Sequence, residues 1–306
     1  MPVRIPLPDD LAPSFRVAQG LARGVGRGRL NGRDLDRPFG GARTRAGSAA
    51  DAHGYAHAYA PRMSAHAVFS NSTAAQLWGI PLPRNLQRIL PVHVSVPAPR
   101  RAPEGRDVTG HRLRLDSADV RAIDGGLRVT SLERTVFDLA ALLSDEELLG
   151  ALDNILWRRR NRRFRATATS IASARLRFHG RRGLGHLLEL LPLATDRSDS
   201  VPESVFRLRF IRAGLPIPNP NLDILDNRGV FLAMPDLQFP EFRMAFDYEG
   251  DHHRTDARQW RKDLRRVPLI EDAGWTHTRL SADDLADSSY ILARTRRLLT
   301  RRGWSP

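Results

Sequence analysis

The stretch MPDLQFPEFRMAFDYEGDHHR, residues 234–254, threads Asp236, Asp247, Glu249 and Asp251 and the neighbouring His252 and His253 through a segment patterned like buried strands. Carboxylates in that setting point to cation chemistry. In RMAFDYEG, alternation puts Met244, Phe246 and Tyr248 on one side of a strand and Ala245, Asp247 and Glu249 on the other. Two carboxylates then leave the same side, about 6–7 Å apart along the strand. Asp236 belongs to the preceding strand, which antiparallel pairing brings alongside. Three carboxylates meeting at a sheet edge repel one another unless a cation sits among them. Hard oxygen donors suit Mg²⁺ or Mn²⁺, which keep several waters and touch a substrate's phosphates directly. With Asp236, Asp247 and Glu249 as ligands, the chemistry expected is metal-assisted phosphodiester hydrolysis. Taken singly, each acid reads as an ordinary solvated strand-end residue; their joint placement carries the cation reading.

The elements that must position these groups can be read on either side. VPESVFRLRFIRAG predicts a helix with Pro202 and Glu203 in its first turn, stopped by Gly214 and Pro216. NLDILDNRGVFLAMPDLQFP predicts a hairpin turning at Asn227-Arg228-Gly229. The helix expected after the histidines, TDARQWRKDLRRVPLIEDAGW, carries Asp263 and Arg266, and Pro268 should kink it or shift its start.

Upstream, residues 1–60 are rich in Gly, Arg and Ala and show little hydrophobic period. They predict a poorly ordered arm with one short helix around 11–21. SNSTAAQLWGIPLP predicts a helix capped by Ser72 or Thr73 and stopped by Gly79 and Pro81, and PVHVSVP a strand. GLRVTSLERTVFDLAALLSDEELLGALDNIL reads as a strand entering a helix at Thr130 or Ser131, then a second helix started by Ser144. A further helix is expected around 185–191, and a domain boundary near 195–200.

The 306 residues suffice for two or three domains, and the net charge of +14 suggests a polyanionic partner, nucleic acid above all. Lys262 is the sole lysine, so arginine supplies nearly all of that charge. Residues 151–200 hold eleven arginines against four acids, whereas 201–250 hold five against seven. Arg158, Arg159, Arg160, Arg162, Arg163, Arg165, Arg181 and Arg182 are therefore the candidates for phosphate contacts. The absence of cysteine excludes disulfides and thiolate metal sites and fits a reducing cytoplasm. No run of about 18 apolar residues exists, and prolines and acids interrupt the first residues, so neither membrane spanning nor secretion is expected.

Glu203, GLPIP, Asp236-Leu237 before Phe239-Pro240, Asp247-x-Glu249-Gly250, His253, Asp263-x-x-Arg266 and Gly274-Trp275 occur in one ordered series. Over about residues 200–300 the chain thereby resembles a domain of unknown function related to very-short-patch repair endonucleases, of the PD-(D/E)XK, restriction-endonuclease-like superfamily. The resemblance implies a central mixed sheet flanked by helices, Asp236, Asp247 and Glu249 at the metal site, Glu203 as the first-helix acid, and His253 in proton transfer or phosphate contact. Two features depart from the family. The third-strand pair is Asp then Glu rather than Glu then Asp, and the superfamily's lysine is missing, which leaves water activation to Glu249, His252 or His253. Over about residues 66–143, FSNSTAAQLWGIPLP, VHVSVP, GHRLRL and LRVTSLERTVFDLA resemble the AbiEi-type antitoxin and regulator module. The expectation is thus an α/β (α+β) chain: an N-terminal arm to residue 60, an antitoxin-like mixed α/β module over 61–195, and an endonuclease-like domain over 200–303. Its expected activity is that of a Mg²⁺- or Mn²⁺-dependent endonuclease on DNA, linked to repair, defence or a toxin–antitoxin pair and partnered by a toxin or defence protein. The alternative is a catalytically inactive DNA-binding or antitoxin-like regulator.

Overall fold

Among the described residues, short apolar runs punctuated by Gly, Pro and Asn form four separate sheets in a mixed α/β chain. The computed structural model describes residues 5–159, 164–178, 182–250 and 268–305. It divides into two units, one of 1–142 with 169–184, the other of 143–168 with 185–306.

The first unit begins with β1 (Ser14–Arg16), α1 (Val17–Ala22), β2 (Leu35–Asp36) and β3 (Ala42–Arg45), whose strands pair antiparallel in the order β1-β3-β2. Leu11, Phe15, Val25, Leu30 and Leu35 make a core beneath them. The expected loose arm is therefore a packed element. Its elements are too short to show a helical or strand period, and Ser14–Arg16 is drawn into the sheet, so the helix starts at Val17. A Cβ on Gly20 would lie 2.9 Å from Leu30 Cδ2, so glycine there permits the close approach.

Next come α2 (Ala52–Tyr59), β4 (Val68–Phe69), α3 (Asn71–Trp78), β5 (Val92–Pro97), β6 (Val108–Leu113), β7 (Val120–Ile123), β8 (Leu127–Thr130) and α4 (Leu132–Leu139). The five strands make one mixed sheet in the order β6-β5-β4-β8-β7. The α3 helix starts earlier than expected, its N-cap being Ser70, and ends on Gly79, whose φ of 66° is the left-handed stop the sequence predicts. Ser131 caps α4 by accepting the Arg134 N–H. The fully buried Arg134 side chain donates to Asp138, to the Arg114 carbonyl and to Asp119, and lies over the Phe178 ring. The SLERT segment is thus a structural clamp: a buried guanidinium tolerated because carboxylates meet it. The α6 helix (Ala168–Ala174) leads to that phenylalanine.

In the second unit α5 (Asp145–Leu156) opens with the Ser144–Glu147 capping box, and α7 (Leu184–Leu190) and α8 (Val201–Arg212) follow. Asp153 of α5 accepts from Arg207 Nη2 at 2.7 Å and from Ser204 Oγ at 2.6 Å. Burial pushes its carboxyl up against the pull of Arg207. This tie binds α5 to α8, so the expected boundary at 195–200 lies within a unit rather than between two.

The strands after α8 are β9 (Asn219–Pro220), β10 (Ile224–Leu225), β11 (Phe231–Ala233), β12 (Leu237–Phe239), β13 (Met244–Tyr248) and β14 (Thr276–Leu280), then α9 (Ala282–Ala286) and α10 (Ser289–Arg301). The predicted hairpin is β10–β11 alone; β12 joins a four-stranded sheet of order β14-β13-β12-β9. Only β13–β14 is parallel, which makes this the expected mixed sheet. One face packs Leu237, Phe239, Met244, Phe246 and Leu280 against Phe206, Phe210, Ile291 and Leu299. On the other, Ala245 packs with Ile224, Ala233 and Ile270. A one-residue slip of β13 would drive Asp247 into the phenylalanine cluster and expose Phe246, which forfeits about 1.5–3 kcal/mol for that ring alone. The aromatic core therefore decides which side the carboxylates leave.

Candidate catalytic site

The pairing of Leu237 with Phe246 continues outward to set Asp236 beside Asp247, on the face away from the phenylalanines. Their bonds cross: the Asp236 N–H donates to Asp247 Oδ1 at 3.1 Å, and the Tyr248 N–H donates to Asp236 Oδ2 at 2.7 Å. Both side chains are half-buried. The predicted approach of Asp236 to Asp247 is what the antiparallel register produces.

Parallel pairing with β14 adds residues that sequence reasoning did not single out. Ala245 sits opposite His277 and Asp247 opposite Arg279, so both β14 side chains share the aspartates' face. His277 Nε2 lies 2.7 Å from Asp247 Oδ2, and the imidazole is only 5% exposed. The alternation in THTRL marks a strand with these two residues on one face, yet nothing local to that segment names its neighbour.

Glu249 stands just past β13, where its N–H donates to the Leu280 carbonyl at 2.8 Å. Its carboxylate pairs with Arg279 Nε at 3.1 Å, and both side chains are about half exposed, at 53% and 45%. Among the described residues no three His, Asp or Glu side chains are arranged to hold one ion. The expected set of Asp236, Asp247 and Glu249 thus resolves into two paired aspartates and a glutamate engaged by an arginine. Two aspartates remain a donor set that fits Mg²⁺ or Mn²⁺, since such ions bind one or two protein carboxylates and complete their shell with waters and phosphates.

Glu203 is buried at the start of α8. Its Oε2 accepts from the Asp199 N–H and from Asn221 Nδ2, both at 2.8 Å, and burial pushes its carboxyl above the usual range. The Asn221 N–H in turn donates to the Asp236 carbonyl at 3.1 Å. Glu203 therefore acts on Asp236 through Asn221, a buried residue held at a φ of 46°.

Of the basic candidates, Arg158 and Arg165 are half-buried, Arg159 pairs with Asp199, and Arg182 is exposed. The first three belong to the second unit and Arg182 to the first, so the stretch is divided between them. Arg160, Arg162, Arg163 and Arg181, together with Asp251, His252, His253, Lys262, Asp263 and Arg266, lie outside the described residues.

No helix among the described residues is long and apolar enough to cross a membrane. No family model matches the chain, and no solved structure does. The chain is similar to the uncharacterized proteins MT2308 and Rv2248 of Mycobacterium tuberculosis, from strains CDC 1551 / Oshkosh and ATCC 25618 / H37Rv. Each is 29% identical over 240 residues, 78% of this chain and 83% of the relative.

Proposed function

We propose that the second unit is a metal-dependent phosphodiesterase acting on nucleic acid, with Asp236 and Asp247 as the ligands of one Mg²⁺ or Mn²⁺ ion. The observation that carries this reading is the crossed aspartate pair, aligned on one sheet face with His277 behind it. When bound, the ion supplies water activation and charge stabilisation on the departing oxygen. The protein's own groups hold the geometry. The Tyr248 amide orients Asp236, while the Asp236 amide and His277 Nε2 orient Asp247, the outer support that metal-binding carboxylates characteristically have. Glu203 steadies the Asp236 strand through Asn221. Proton transfer falls to Glu249, His252 or His253. The charge of +14 favours nucleic acid over other phosphodiesters, and DNA in a cytoplasmic repair, defence or toxin–antitoxin setting is the substrate context that follows.

A second reading has its own support. Among the described residues, the pairing of Glu249 with Arg279 leaves fewer than three ligands together, which suits a nucleic-acid-binding or antitoxin-like regulator built on the same fold. Nicking of a supercoiled plasmid in Mg²⁺ or Mn²⁺ separates the two. The hydrolytic reading expects cleavage by the wild type and none by Asp236→Asn at an unchanged melting temperature. Wild-type inactivity, or cleavage that persists in the variant, would refute it.

A further inference from the structure

We propose that Arg279 is the phosphate-binding residue of this site and that Glu249 is its resident counter-ion, displaced when a nucleic-acid phosphate arrives. The inference rests on the reading of the aspartate pair as a centre acting on phosphodiesters.

The register places Arg279 beside Asp247 on the neighbouring parallel strand, on the same face as both aspartates. Along that face β14 passes from buried to open: His277 is 5% exposed and Arg279, two residues on, is 45% exposed. The guanidinium therefore stands at the mouth of the site. A phosphodiester approaching two aspartates meets like charge, and a cation on the same face offsets it. An arginine does so with a planar fork that matches phosphate oxygens.

The bond to Glu249 has the properties of a replaceable one. It runs through Nε at 3.1 Å between side chains that are each about half in water, a setting in which ion pairs hold weakly. The chain at Glu249 does not depend on it, because the Glu249 N–H is already tied to the Leu280 carbonyl. Glu249 thus competes with phosphate for one guanidinium. Neutralising it should strengthen nucleic-acid binding, an effect that a merely structural ion pair does not produce.

The test uses the full chain and a fluorescein-labelled DNA duplex, read by anisotropy across a salt series in EDTA so that cleavage plays no part. Arg279→Gln is expected to weaken binding and to reduce the slope of log affinity against log salt by about 0.9, one phosphate contact. Glu249→Gln is expected to tighten binding several-fold, and the double variant should lose that gain. Melting temperatures establish that each variant is folded. The inference is overturned if Arg279→Gln leaves the slope unchanged, if Glu249→Gln tightens binding equally without Arg279, or if the wild type does not bind the duplex. A parallel Mn²⁺ cleavage assay keeps the two ideas apart. Cleavage without this binding pattern sinks the inference alone; the binding pattern without cleavage sinks the hydrolytic reading and leaves the phosphate site.

Discussion

Acid should loosen the first unit through one histidine. His93 of β5 and His111 of β6 meet through Nδ1 and Nε2 at 3.0 Å, while their ring centroids are 5.2 Å apart, so the rings touch by their edges rather than face to face. Such a contact needs one nitrogen to donate and the other to accept. Burial, and after it the neighbouring His111, lower the His93 pKa from 6.5 to about 4. Burial lowers that of His111 as well, against an opposing pull from Asp138. In the unfolded chain His93 takes up its proton near 6.5; in the folded chain it does so only near about 4. Between those values the unfolded state binds more protons. The stability contribution is therefore complete above 6.5 and drains away as pH falls toward about 4. That gap, 6.5 minus about 4, at about 1.36 kcal/mol per pH unit sets a ceiling of about 3.4 kcal/mol. The rings are only half-buried, so screening by water reduces the expected loss to about 1–2 kcal/mol. Amide hydrogen exchange of β5 peptides in the wild type and in His93→Gln, at about pH 7 and about pH 5 with intrinsic rates corrected, reads the opening free energy locally. Acidification to about pH 5 crosses only about 1.5 of that gap's roughly 2.5 pH units, so the wild type should lose about 1 kcal/mol more than the variant. Equal losses would refute the assignment of the acid sensitivity to His93.

The raised carboxyl of Glu203 works in the opposite sense. Because its pKa is raised in the fold, its contribution is complete below the ordinary 4.5 and is lost as pH rises through the folded value, so Glu203→Gln should gain stability relative to wild type between acid and neutral pH. Urea unfolding at both ends of that range checks the direction. Exchanging the acids, Asp247→Glu with Glu249→Asp, should reduce plasmid nicking by about a hundredfold, because the longer side chain cannot keep both the Asp236 N–H and His277 Nε2 in place. A rise in nicking would mean that the present order is a decayed form of the site.

The side of β13 from which the carboxylates leave was legible in the sequence. Met244 and Phe246 alternate with Ala245 and Asp247, and a strand's two-residue side-chain period turns that order directly into faces. The helix starts at Thr130 or Ser131 and at Ser144, and the first turn at Pro202–Glu203, were legible for a similar reason, since a helix start is settled within about three or four residues of itself. The core of residues 11–35 was not legible, because elements of two to six residues show no period.

What the tertiary structure decided is which residues meet across the chain. His277 and Arg279 reach Asp247 and Glu249 only because β14 pairs parallel to β13, after a connection of more than twenty residues whose register no local pattern encodes. The same holds for Asp153 and Arg207, two ordinary helix charges in sequence that become a buried pair once α5 lies on α8. Periodicity and caps arise from neighbours along the backbone, and the sequence by itself determines them. The partner that neutralises a charge is chosen by packing, where burial makes an unmatched carboxylate or guanidinium too unfavourable to persist.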